Sequence, residues 1–370
     1  MIEKLKGQSR GKQRVLLLGL FFCVTLFFFI GTKQAWWSSF RVNNSNERRQ
    51  IDMSLYRYQN VDPTQSSEAT DSYKNLVKQQ SLLARLENAY VFEQPEKYHQ
   101  LRIELNDTRL SLVDTQDYDL LKEQQPAIGT LIKERIRLEL IRDDVIVSPL
   151  DMTSWLLQLL RFIGILWVPI CVFLTSRILE DELSHPSINK GVPKRFHQKV
   201  FAKWQEIGYS LAMSLLLVGG TVCMLSALFG QGIGGLGRID VLFMTTPQTV
   251  PSYMTVLIYL GYFFLLYTFI FLCSVVLNAL TRQFYLTLFI ELFVYSLVWL
   301  IPKENFPKYV SFLQVFHPTL VLEGRFISAS SGGEWNGMTG MFLLIVGIGV
   351  LIVLIQILQL GDKVWKGGRG

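Results

Sequence analysis

Two ionisable side chains interrupt apolar stretches of this chain: Arg161 in SWLLQLLRFIGILWVPICVFLTS and Glu291 in FYLTLFIELFVYSLVWLI. A charge in a bilayer-crossing run costs a few kcal/mol, so it faces a protein interior or an aqueous cavity. Ser154, Gln158 and Arg161 recur at spacings of four and three, which puts them on one helix face. That stripe is either a wall of a translocation cleft or, with Arg161 reaching Glu291, an interhelical polar lock. Counted from the ends of their runs, the two charges differ in depth by roughly 8 Å, a gap that long side chains bridge.

A third charged group follows directly on the first of these runs. Glu180, Asp181 and Glu182 are succeeded by Pro186, by the break Gly191-Val192-Pro193, and then by Lys194, Arg195 and Lys199. Lipid electrostatics favour cations at a cytoplasmic membrane face. Acid there points to a protein partner with a basic or polar groove.

Other chemistry is not written in the sequence. The phosphate-cradling spacing G-x-x-x-x-G-K-[ST] does not occur, and Gly7 to Gly11 with Lys12 has the wrong spacing and no hydroxyl after the lysine. Neither the G-x-S-x-G elbow nor the H-E-x-x-H pair is found, so we expect no catalytic constellation. Cys23, Cys171, Cys223 and Cys273 each fall in an apolar run without C-x-x-C spacing, and read as packing residues. His99, His185, His197 and His317 are scattered, and we expect no metal and no cofactor on this chain. GQGIGGLGR (Gly230 to Arg238) is not set between a strand and a helix, and reads as an external turn rather than a dinucleotide loop.

The elements that position these residues are six apolar runs, residues 15–31, 154–176, 208–230, 255–280, 284–301 and 341–360. A bilayer core of about 30 Å takes about 20 helical residues, so each run is read as a span. Half of all residues are hydrophobic and the net charge is +6. The cations gather beside spans: Lys4, Lys6, Arg10, Lys12 and Arg14; Lys190, Lys194, Arg195, Lys199 and Lys203; Lys363, Lys366 and Arg369. Topology and anionic lipid account for them, and nucleic acid is not implied. The fold class is an all-α polytopic membrane protein with both termini cytoplasmic. Its order is a cytoplasmic N-terminus (1–14), the first span, an extracytoplasmic helical domain (32–153), the second span, a cytoplasmic loop (177–207), spans three to five within 208–301, an external loop with a re-entrant segment (302–340), the sixth span, and a cytoplasmic tail (361–370). The first run resembles a signal peptide but continues into GTKQAWW without an A-x-A-like site, and reads as a retained anchor with Trp36 and Trp37 at the interface.

Within the extracytoplasmic segment, Leu76, Leu82, Leu83 and Leu86 repeat at helical spacing, and Pro95 and Pro126 divide it into about three helices. Residues 43–72 are polar and read as a loop or short helix. This domain either captures a substrate or partner, or serves as a lid over the spans.

The loop LEDELSHPSINKGVPKRFHQKVFAKW resembles that of the membrane subunits of ABC-2 type transporters in its acid-first order, its proline and glycine punctuation and its basic return to the membrane. The segment IPKENFPKYVSFLQVFHPTLVLEGRFIS is similar to that family's external re-entrant segment, with Pro307, Pro318 and Arg325 in the corresponding places. The resemblance covers the whole chain in topology and these two stretches in motif. The short N-terminus departs from relatives that carry an amphipathic helix before the first span. The resemblance implies a permease subunit of a bacterial exporter in the cell membrane, with Glu180, Asp181, Glu182, Pro186, Gly191, Lys194 and Arg195 forming a coupling helix against a separate ATP-binding subunit. ATP and Mg would sit on that partner, and a second membrane subunit, identical or similar, would complete the assembly. Family substrates include drugs, peptides, lipids and glycans, and a peptide, bacteriocin or other amphiphile suits the external domain. Two alternatives stand beside this: a mechanotransmission subunit, which usually has four spans, and a non-transporting sensor or immunity protein that binds a ligand on the external domain.

Overall fold

The computed structural model describes residues 19, 21–23, 25–26, 40–58, 67–92, 94–113, 125, 128–140, 152–178, 196–228, 239–244, 247–281, 283–300, 308–322 and 336–367. The chain is a helical membrane protein. Among the described residues, four helices are long and apolar enough to cross a bilayer, over Trp155–Thr175, His197–Leu225, Ser252–Thr281 and Gly337–Ile357. Of the first run, Gly19, Phe21 to Cys23, Thr25 and Leu26 are described, all helical, and Phe21 is buried in the same core as the longer spans.

Among the described residues, the polar half forms four helices, α1 (Phe40–Tyr58), α2 (Ser67–Val91), α3 (Pro95–Val113) and α4 (Ile128–Leu140). Helix α2 packs on both α1 and α3, and α3 packs on α4. Leu76, Leu82, Leu83 and Leu86 are all buried, the last three with Ile51, Ala89, Leu101 and Leu105. Pro95 opens α3, where its missing N–H costs nothing. Helix α1 is longer than the loop or short helix expected there. Its sequence, FRVNNSNERRQIDMSLYRY, has little apolar periodicity, so the burial of Ile51 and the pairing of Glu47 hold it, and hydropathy alone did not reveal it.

The apolar half comprises α5 (Met152–Thr175), α6 (Phe196–Leu228), a hairpin of β1 (Ile239–Phe243) and β2 (Pro247–Pro251), α7 (Ser252–Thr281), α8 (Phe284–Leu300), a 3-10 helix (Lys308–Phe316), α9 (Pro318–Leu322) and α10 (Gly337–Gly367). Helix α7 is central, packing on α5, α6, α8 and α10. Its seam with α5 is fixed by Trp167, whose indole N–H donates to the Phe263 carbonyl at 2.9 Å while the two rings stack 4.7 Å apart. Helix α6 begins at Phe196, a dozen or so residues before the apolar run, because KVFAKWQEI keeps good helix formers in register. Hydropathy marks where a helix enters the membrane, not where it starts.

The sequence reading contained no strand. In the antiparallel hairpin, Ile239 pairs with Pro251 and Phe243 with Pro247, so β2 has a proline at each end, as an edge strand tolerates. Val241 and Leu242 are buried where β1 meets α7 and α9. The glycine-rich Gly230 to Arg238 lies outside the described residues.

Candidate functional site

The densest polar chemistry within the apolar half lies where α5, α7 and α8 meet near their loop-proximal ends. Helix α5 contributes Thr175 and, just beyond it, Ser176; α7 contributes Ser274 and Asn278; α8 contributes Thr287 and Glu291. All are buried, the first five almost completely. The hydroxyls of Thr175 and Ser274 lie 2.7 Å apart, and Ser274 donates to Glu291 Oε1 at 2.7 Å. Asn278 Nδ2 donates to the carbonyls of Ser176 at 2.8 Å and Ser274 at 2.9 Å, while its Oδ1 accepts the Thr287 hydroxyl at 3.3 Å. Three helices are thus tied by side chains that an apolar slab would otherwise penalise. Of these residues only Glu291 was singled out from sequence. Serine, threonine and asparagine within a span were the available signal, but their hydroxyls commonly bond their own helix backbone, as Thr175 does to Cys171.

The expected lock between Arg161 and Glu291 is not formed. Glu291 bonds Ser274, and Ser274 meets Thr175, which lies about 20 Å of helix rise from Arg161 at about 1.5 Å per residue. Arg161 is half-buried in the first half of α5, and its carbonyl accepts the Thr319 hydroxyl at 3.0 Å. Gln158 is also half-buried, one turn before it. Thr319 comes so close because residue 164 is glycine: a Cβ there would lie 2.7 Å from its hydroxyl oxygen.

Helix α9 and the 3-10 helix before it sit deep against the spans. The Tyr262 hydroxyl, about 15 Å along α7 from its start, donates to the Val315 carbonyl at 2.9 Å. His317, between the two short helices, packs on Tyr295 with ring centres 5.0 Å apart. Pro318 is buried at the start of α9, whereas Pro307 and Arg325 lie outside the described residues.

Glu180, Asp181, Glu182, Pro186, Gly191, Lys194 and Arg195 also lie outside the described residues. The start of their loop is anchored twice. Lys203 on α6 donates to the Ile178 carbonyl, and the Arg177 guanidinium lies 4.5 Å above the Phe284 ring that opens α8.

In the polar half, one largely buried cluster of charges binds α1, α3 and α4, while more exposed pairs, Arg48 with Glu87 and Lys78 with Glu104, tie in α2. Arg102 on α3 meets Glu47 on α1 at 3.1 Å and Glu134 on α4 at 2.6 Å, and Arg109 meets Glu47 at 2.9 Å. Burial alone would raise the Glu47 pKa, but the two guanidiniums outweigh it and hold the carboxyl below its ordinary value. Burial likewise opposes the charge on Arg102, and Glu134 and Glu47 more than restore it. Between α2 and α3 runs a groove of about 460 Å³ lined by Lys74, Asn75, Lys78, Glu104, Asp107 and Ser111. It offers both signs of charge.

Cys171 is buried in the α5 core, Cys273 is partly buried, and Cys23 and Cys223 are exposed, all as free thiols. Among the described residues no group of three or more His, Cys, Asp or Glu side chains is placed to hold a metal. No protein-family model, curated protein or solved structure matches the chain.

Proposed function

We propose that this chain is the membrane-spanning permease subunit of an ATP-driven ABC-2 type exporter, working with a separate ATPase subunit and a second membrane subunit. The observation that carries this reading is the anchoring of the loop between α5 and α6. Arg177 on Phe284, and Lys203 of α6 on the Ile178 carbonyl, tie the start of one acidic, proline-punctuated segment to α5, α6 and α8. A force on that segment reaches three helices at once. The cargo is a peptide, bacteriocin, drug or similar amphiphile, and the four-helix half is its extracytoplasmic domain.

The test is charge reversal at Glu180, Asp181 and Glu182. The triple variant should insert normally but lose co-purification with its ATPase and lose transport, because stripping a buried interfacial charge pair of one partner costs roughly 2–5 kcal/mol. Unchanged co-purification and transport would reduce the loop to a solvated connection. Orientation is tested separately, with single cysteines at Lys4, Lys194, Lys366, Glu104 and Gly332. An impermeant thiol reagent applied to intact cells should label the last two and not the first three. Labelling at position 194 would overturn the topology.

A further inference from the structure

Among the described residues, no positive side chain pairs with Glu291 in the bundle. Its Oε1 accepts the Ser274 hydroxyl at 2.7 Å, while Oε2 is buried and without a hydrogen-bond partner. The residue is 9% exposed. The elements packed on α8 are α5, α7 and the 3-10 helix. From α7 the titratable neighbour is Cys273, adjacent in sequence to Ser274. From α5 come buried Cys171, one turn before Thr175, and Arg161, about two turns from Glu291 in the register fixed by Tyr295 and Ile165. Arg177 stands over Phe284, about two turns before Glu291. From the 3-10 segment, His317 faces Tyr295 one turn further on, and Lys308 opens that helix at the end away from it. Helix α8 carries no other charged residue.

A bare carboxylate in such surroundings is strongly unfavourable, and a buried charge persists only when paired or neutralised. The oxygens around it are of the kind that hold a small hard cation: the hydroxyls of Ser274 and Thr175, 2.7 Å apart, with Asn278 Oδ1 and the Thr287 hydroxyl one turn away. We propose that Glu291 is a binding site for one monovalent cation, taken by the carboxylate with the Ser274 and Thr175 oxygens beside it. A proton and a sodium ion share this chemistry. Intramembrane carboxylates with hydroxyl neighbours are characteristic of ion and proton paths, so the site would couple the state of the α5–α7–α8 junction to the ionic conditions around it.

The experiment uses the full-length protein in mild detergent and needs no ATPase, so its outcome is independent of the transport reading. Dicyclohexylcarbodiimide, which attacks protonated carboxyls in apolar surroundings, is applied across a pH series with sodium chloride or choline chloride at equal ionic strength, and adducts at Glu291 are read by peptide mass spectrometry. Thermal unfolding midpoints of the native protein and Glu291→Gln are measured under the same conditions. Adduct that falls about tenfold per pH unit above a midpoint, unaffected by sodium, identifies the proton. Adduct suppressed by sodium at fixed pH identifies the alkali cation. If the reagent does not reach the site, an unfolding midpoint that shifts with pH or sodium in the native protein and not in Glu291→Gln supports the site equally. The proposal is overturned if adduct and midpoint are indifferent to both variables, or if Glu291→Gln responds as the native protein does.

Discussion

The Tyr295 hydroxyl donates to the Ile165 carbonyl at 2.6 Å, and this bond sets the register of α8 on α5. Because the helices run antiparallel, Arg161 lies one turn from the bond toward one end of the bundle and Glu291 one turn toward the other. The two charges therefore act separately. Arg161→Ala and Glu291→Ala should be additive in unfolding free energy to within about 0.5 kcal/mol. A larger coupling in the double mutant, measured by thermal unfolding in detergent, would contradict the register.

Glu47 should make the four-helix half acid-sensitive. Its folded pKa lies below the unfolded carboxyl value of about 4.3, so its stabilisation is present above that pH and is lost as pH falls through the folded value. Protection of the α1 and α3 amides against hydrogen exchange, relative to the intrinsic rate at each pH, should fall on acidification below about pH 4. Glu47→Gln should exchange faster at neutral pH and lose part of that acid response.

Glu47→Ala strips Arg109, 2% exposed, of its carboxylate partner. The expected loss is about 3 kcal/mol, the lower part of the range for breaking a buried pair, since Glu47 itself is 20% exposed. Limited proteolysis between α1 and α4 reads it. No increase in cleavage would show that the pair lies in solvent.

At the deep contact of the 3-10 helix, Tyr262→Phe removes the donor to the Val315 carbonyl and should cost about 1 kcal/mol. Gly340→Ala puts a Cβ 2.8 Å from the Tyr262 hydroxyl oxygen and 3.0 Å from a Val321 methyl, and should cost about 1–3 kcal/mol. Together they should cost less than their sum, because the phenylalanine relieves the clash. Strict additivity in thermal unfolding would mean that Gly340 is not in contact with Tyr262.

Long periodic elements were legible in the sequence. The runs containing Trp167, Phe263 and Val350 became long helices, and the leucine face of α2 is buried. What escaped the reading depends on partners distant in the chain. Helix α1 is polar nearly throughout and is held by Arg102 and Arg109 more than fifty residues away. The β-hairpin is short, and what stabilises it is Leu242 meeting residues that the sequence does not bring near. At the candidate site, Glu291 stood out because a carboxylate is rare in a span, whereas Thr175, Ser274, Asn278 and Thr287 are ordinary membrane-helix residues until three helices converge. Depth counted from the ends of runs set Arg161 and Glu291 roughly 8 Å apart, whereas the Tyr295–Ile165 bond places them about two turns apart, on opposite sides of it.

The connection between α7 and α8, Arg282 and Gln283, is too short to let the helices separate, and the Thr281 and Thr287 hydroxyls lie 3.1 Å apart across it. During biogenesis such a pair can leave the insertion machinery as a preformed hairpin. Glu291 then enters lipid already bonded to Ser274, so part of the penalty of about 2.5–3.5 kcal/mol for a lone charged residue at a helix centre is offset before the other spans arrive. Lengthening that turn should impair membrane integration of α8 while leaving the finished bundle's contacts available, a defect of assembly rather than of stability.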